Sequence, residues 1–314
     1  MTEFHEHISE PADQEEAVFE KLSFIDRHAI HPLLYAFASL IFIFLLYQIG
    51  GGVLMFLVTG AAAVTRENIW TMRWLTLIGQ ICFLLLPTLL FTRLFETRFS
   101  KVFQFRLPGL RESMFALIAL FSLQRIFEAY MFFQEQIPLP QSLRDLIEPI
   151  RNLFQEITKI LVHAYSPAEL FAVILIVAIV PAIVEELLFR GLIQKVFERL
   201  MSPIVSAILA GTIFGLYHLN PFEVVPLIGL GVFFGLLRYR SQSLLLPMFA
   251  HFLNNLMAVL ALYYGLDDEH LLSAAQTAID MPAMLFELFG FAVLFFLSFV
   301  AYLRLTHDAS RRVY

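Results

Sequence analysis

The chain has 314 residues, of which 59% are hydrophobic and only 15% charged, with 34 phenylalanines. A water-soluble domain is nearer half apolar and a quarter charged, so an ordinary soluble enzyme and a disordered chain are both poor fits. The net charge of −6 offers no basic footprint for neutralising phosphates, which removes nucleic acid as a partner. What remains is an all-α polytopic membrane protein with room for about eight spans of about 20 residues each. The single cysteine, Cys82, lies in an apolar run, so neither an intrachain disulfide nor a cysteine metal cluster is expected.

In chain order, residues 1 to 20 carry seven acids and no Lys or Arg, the opposite of the basic start of a signal peptide. Residues 1–32 are therefore read as an acidic cytoplasmic tail. Apolar runs begin near Leu33, Leu75, Ser113, Ala168, Ile204, Val224, Leu244 and Met284, which gives eight candidate spans. The first extends to about Val64 across Gly50, Gly51 and Gly52, so a continuous, a broken and a re-entrant helix are all open.

Residues 33–164 hold the N-terminal spans and a segment at 141–166. There Leu146, Ile150, Leu153, Phe154, Ile157 and Ile160 form an apolar stripe opposite charged residues, which predicts a helix on the membrane surface. Residues 165–265 hold the middle spans, and 266–314 a last span with a cytoplasmic C-terminal tail. On the eight-span scheme 15 Lys and Arg fall on one side and 5 on the other, with Arg125 inside the third span. Cytoplasmic loops retain positive charge, so both termini are expected in the cytoplasm.

Ionised groups at membrane depth cost a few kcal/mol each, and those present need a reason. Arg125 and Glu128, three apart in the third span, read as a structural pair. Glu185 and Glu186 end one apolar run, His218 ends another, and His251 and Asn255 lie in a third. Glu186 and Arg190 are one helical turn apart, as are Phe214 and His218, and His251 and Asn255. Adjacent acids point about 100° apart on a helix, so one pairs with Arg190 and the other faces an internal cavity. A lone His or Asn at these places is more often structural; their coincidence on three spans is what points to chemistry.

Hydrolysis inside a membrane needs an activated water, donors for an oxyanion and a wet cavity. Glu with His can supply the first, and His with Asn one turn away the second. No HExxH or GxSxG motif occurs. The seven aspartates lie in tails or loops, which excludes an intramembrane aspartate pair. Intramembrane Glu and His also carry protons in transporters, so a proton-coupled transporter is the rival class.

EELLFR (Glu185 to Arg190), FGLYH (Phe214 to His218) and HFLNN (His251 to Asn255) stand in the order of the EExxxR, FxxxH and HxxxN motifs. With them the chain resembles the CPBP intramembrane proteases, which include the type II CAAX prenyl endopeptidases and the bacterial abortive-infection-like proteins. The resemblance covers about residues 165–265, the expected protease core. It implies that Glu185 and His218 activate water, that His251 and Asn255 stabilise the oxyanion, and that Glu186 and Arg190 support them. The family has also been described as metalloproteases, which would make Glu185, His218 and His251 zinc ligands; the metal-independent route is preferred because Asn255 suits an oxyanion donor. The implied partners are the bilayer and a membrane-associated peptide, in a bacterial cytoplasmic membrane. A non-catalytic scaffold with the same fold remains an alternative. One tension stands: His218 lies about 20 Å along its helix from Pro203, while Glu185 sits near the cytoplasmic end of its span. The fourth helix must therefore continue past Arg190, or the fifth must be displaced.

Overall fold

A computed structural model describes residues 22–60, 66–266 and 281–306. It is 83% helical, with no strand among the described residues. The acidic segment 1–21 and the far C-terminal residues lie outside them.

Among the described residues, seven helices are long and apolar enough to cross a membrane. They are α1 (Pro32–Thr59), α2 (Ile69–Phe95), α3 (Leu110–Glu135), α5 (Pro167–Phe197), α7 (Val224–Ser241), α8 (Leu245–Tyr264) and α9 (Met281–Leu305). The run expected to begin near Ile204 forms α6 (Pro203–Tyr217), a helix of only 15 residues, about 22 Å long and short of the hydrocarbon thickness. The segment after α3 forms α4 (Gln141–Val162), an amphipathic helix.

Local chemistry sets the helix ends. α5 and α6 each begin on a serine cap followed by proline, with Ser166 Oγ accepting from Glu169 N and Ser202 Oγ from Val205 N. The three glycines do not break α1, which is continuous through one π-helical turn at Leu46–Gly50.

The apolar core is accompanied by buried charges and by large apolar side chains left exposed. Arg73, Arg190 and Arg238 are among its largest fully buried side chains, while Phe286, Phe289 and Phe296 are exposed. Lipid solvates apolar faces, so the interior need not collect them and the buried polar groups pair with one another. Arg125 and Glu128 do form an ion pair, but on an exposed face of α3 rather than in the interior.

Contacts gather the basic segments at one end. Asp26 pairs with Arg199, whose guanidinium also reaches the Phe95 carbonyl. Arg106 bonds Glu112 and the Ser241 carbonyl, and Arg240 bonds the Leu303 carbonyl. At the opposite end the buried Arg73 donates to the Leu161 and His163 carbonyls and to Glu169, clamping the end of α4 to the start of α5.

α6 and α7 make the most extensive helix pair. Their glycines permit it: a Cβ on Gly211 would lie 2.3 Å from Val232 N, and one on Gly231 would lie 2.4 Å from the Gly211 carbonyl oxygen. Small residues let backbones approach this closely in membranes. We expect Gly211→Ala to force α6 and α7 apart and to cost at least the ~1–3 kcal/mol typical of overpacking. A thermal-unfolding midpoint equal to wild type in the same detergent would contradict the close crossing.

Candidate active site

The site begins with a proline. Pro181 has no amide hydrogen, so the Val177 carbonyl one turn earlier loses its helical donor. That carbonyl accepts instead from Asn255 Nδ2 of α8 at 3.3 Å. π-helical stretches at Ile174–Ile179 and Leu187–Ile193 flank the α-helical turn that carries both glutamates. Such stretches recur where a helix serves a functional site, because the widened turn re-aims side chains.

Glu186 and Arg190 are both wholly buried and joined by Arg190 Nη1 to Glu186 Oε1 at 2.6 Å. Arg190 Nη2 donates to the Gly231 carbonyl at 2.8 Å, a bond that depends on the close approach of α7. The guanidinium carbon stands 4.5 Å from the centroid of Phe214. The same Glu186 Oε1 accepts from His251 Nδ1 at 3.0 Å. One buried carboxylate thus holds the arginine and orients the histidine. Phe234 stacks on the His251 ring at 5.1 Å between centroids, and Phe214 meets it edge-on.

Glu185 turns the other way, into a cavity of about 250 Å³ whose lining includes His218, His251, Asn254 and Asn255. Its Oε2 is buried and makes no hydrogen bond within the protein. This atom lies 3.9 Å from His218 Nε2 and 4.0 Å from His251 Nε2. His218 Nδ1 donates to the Phe214 carbonyl at 2.8 Å; a carbonyl can only accept, so neutral His218 presents a bare Nε2 lone pair to Glu185. Two acceptors face each other across a gap too long for a direct bond. A water about 2.8 Å from each can give one hydrogen to the carboxylate and one to the imidazole. Leu219, with φ of 53°, then turns the chain sharply off α6 directly after His218.

All four residues expected to carry chemistry therefore line one cavity, and the pairing of Glu186 with Arg190 leaves Glu185 free. The tension over depth is resolved by helix lengths: α5 runs on to Phe197, which sets Glu185 well inside the bundle, and α6 is short. Asn254, also in the lining, accepts from Gln124 of α3 and donates to Asn255 Oδ1, which holds its neighbour in place. The roles of Phe234, one of 34 phenylalanines, and of the carbonyl freed by Pro181 had no signal in the sequence; Phe214 was visible through its spacing to His218.

The chemistry of Glu185, His218 and His251 suits zinc, since each ring commits Nδ1 and leaves Nε2 for a ligand bond. The spacing does not: ligands about 2.1 Å from a shared tetrahedral zinc stand about 3.4 Å apart. Among the described residues no group of three or more His, Cys, Asp or Glu side chains is arranged to hold a metal ion. The set does not fit zinc in this arrangement.

Fold and site together define a multi-pass helical membrane protein with an intramembrane Glu/His constellation. Residues 167–257 match the sequence model of the family described as type II CAAX prenyl endopeptidase Rce1-like, so the chain carries a domain of a CAAX-type intramembrane protease family. Neither the search of curated proteins nor that of solved structures returned a match.

Removing one partner of a buried pair strands the other. We expect Arg190→Met to destabilise the protein by ~3–5 kcal/mol, and Glu186→Gln added to it to recover part of that loss. Thermal unfolding of the two variants in detergent checks the pairing; a double variant no more stable than the single would contradict it.

Proposed function

We propose that the protein is an intramembrane endopeptidase that cleaves a membrane-associated peptide by direct attack of a water held between Glu185 and His218. The observation that supports this reading best is the pair of facing acceptors, Glu185 Oε2 and His218 Nε2, at 3.9 Å. Glu185 takes a proton as the water oxygen bonds to the scissile carbonyl carbon. His218 keeps the second hydrogen oriented through its bond to the Phe214 carbonyl.

Negative charge then gathers on the carbonyl oxygen. Asn255 commits one amide hydrogen to Val177 and has a second to donate. His251, with Nδ1 held by Glu186, aims Nε2 into the same cavity and donates from it when protonated. Glu185 next passes its proton to the leaving nitrogen, the C–N bond breaks, and the Glu185 carboxylate is regenerated as the base. Arg190 and Glu186 position His251 and do not touch the substrate.

The basic segments gathered at one end of the bundle support an orientation with both termini on the cytoplasmic side, in what we take to be a bacterial cytoplasmic membrane. Reporter fusions at the two termini test it: both reading as cytoplasmic is the expected outcome, and opposite readings would reject it.

The catalytic assignment is tested with the full chain in liposomes and a panel of membrane-anchored peptides, prenylated and unprenylated. Glu185→Gln and His218→Ala should each lower kcat by ~10²–10⁴, and Asn255→Ala by ~10²–10³, with unfolding midpoints unchanged. Cleavage retained by Glu185→Gln would reject the base. Loss of wild-type cleavage on chelation, with rescue by zinc, would replace this mechanism with a metal-dependent one.

A further inference from the structure

The segment 93–111, which closes α2 and opens α3, carries Arg93, Arg98, Lys101, Arg106 and Arg111 against Glu96 alone. Several other cations at the basic end are engaged within the protein: Lys195 and Arg238 with Glu198, Arg199 with Asp26, and Arg240 with the Leu303 carbonyl. In this segment most are not. Lys101 keeps only a 3.5 Å contact with Glu96 from an exposed side chain. The guanidinium groups of Arg93, Arg98 and Arg111 are exposed, with no ion pair or hydrogen bond among the described residues.

Topology accounts for basic residues on this side of a membrane, but not for what alternates with them. Phe99, Phe105, Leu107 and Leu110 are all exposed, Leu107 by 81% and Leu110 by 78%. Large apolar side chains set between free cations at the ends of two spans suit neither water nor the hydrocarbon core. They suit the layer between the two, where guanidinium groups reach phosphates and apolar side chains enter the acyl boundary.

The segment is fixed to the bundle on its inner side. Val102 and Phe103 are buried, and the Phe103 ring lies so close to Gly191 that a Cβ there would stand 2.6 Å from it. The Gln104 carbonyl accepts from Leu244 N at 2.7 Å and the Arg106 carbonyl from Ser243 Oγ at 2.5 Å, while Arg106 Nε donates to the Ser241 carbonyl at 2.8 Å. Glu112 accepts from both the Arg106 guanidinium and the Gly109 amide. With these groups turned inward, the free arginines and the apolar side chains form the outer face. Gly191 follows Arg190, and Leu244 precedes α8, so this face rests on the two helices that carry Glu185 and His251.

We propose that the segment 93–111 binds anionic phospholipid in the leaflet it meets. Arg93, Arg98 and Arg111 hold phosphate oxygens, which a planar guanidinium does with two parallel hydrogen bonds, and Phe105, Leu107 and Leu110 lie among the upper parts of the acyl chains. None of these residues lines the catalytic cavity, so the surface stands independently of the protease reading.

The test places a fluorescent reporter on the surface. Leu107→Trp is introduced into the full-length protein together with Trp70→Phe and Trp74→Phe, which remove both native tryptophans. The protein is reconstituted in phosphatidylcholine vesicles with a minority of phosphatidylglycerol, and each lipid in turn carries brominated acyl chains that quench a neighbouring tryptophan. Both lipids should quench, and phosphatidylglycerol should be enriched at the reporter about fivefold over its share of the bilayer, the ratio one arginine near an anionic surface supplies. Arg93→Gln, Arg98→Gln and Arg111→Gln together should remove the enrichment at an unchanged unfolding temperature. The corresponding three lysine substitutions should keep most of it, and Arg304→Gln, at the same end, should leave it intact. Quenching in proportion to bulk composition, enrichment that survives the three glutamines, or no quenching by either lipid would overturn the surface. Quenching that appears only after the seven acids of residues 1–20 are changed to their amides would make that acidic segment the occupant and would also overturn the lipid assignment.

Discussion

The buried pair of Glu186 and Arg190 is the interaction on which the rest of the site depends. Two charges without solvent are tolerated only when they are paired. Here Arg190 is held by Glu186, by the Gly231 carbonyl and by the face of Phe214, while Arg190 Nε and Glu186 Oε2 are buried with no hydrogen bond within the protein. That engagement has two consequences. It captures one of two adjacent carboxylates and leaves Glu185 with an unbonded oxygen, and it fixes the His251 ring through the same Glu186 oxygen.

The pair in turn needs α7 at short range, which the Gly211 and Gly231 contact provides. Helix geometry, charge pairing and site formation are thus one constraint expressed three times. Gln194 and Glu198 continue the same helical face beyond Arg190. Gln194 donates to the Gly235 carbonyl, and Arg238 pairs with Glu198 at 2.6 Å. A polar seam therefore joins α5 and α7 from the cavity to the basic end of the bundle, where in a soluble protein an apolar core would lie.

Much of this was legible in the sequence, and the reason is physical. In a chain with so few charges, an acid or histidine inside an apolar run must be explained, and spacings of four residues showed which groups share a face. Glu186 with Arg190 and the separate direction of Glu185 followed from helical geometry alone. What the sequence did not carry is long-range. A 15-residue apolar run, Pro203–Tyr217, looks like part of a span until its neighbours are seen, and the value of Pro181 lies in a carbonyl that only Asn255, 78 residues away, makes visible. The amphipathic pattern of α4 was plain, but amphipathicity gives a polar face and not its direction; the helix turns that face inward to a cavity. Arg73, one of 21 Lys and Arg with nothing in its spacing to single it out, proves to be a buried clamp.

The central claim is that Glu185 acts on water and not on the peptide itself. It is tested most directly by a single turnover in H₂¹⁸O with enzyme in excess, followed by mass spectrometry of the new C-terminus and of the tryptic peptide that contains Glu185. Direct attack predicts one ¹⁸O in the product carboxyl and none in Glu185. An ¹⁸O atom in the Glu185 side chain, with an unlabelled product, would mean that the carboxylate attacked the peptide through an acyl-enzyme, and would contradict the account.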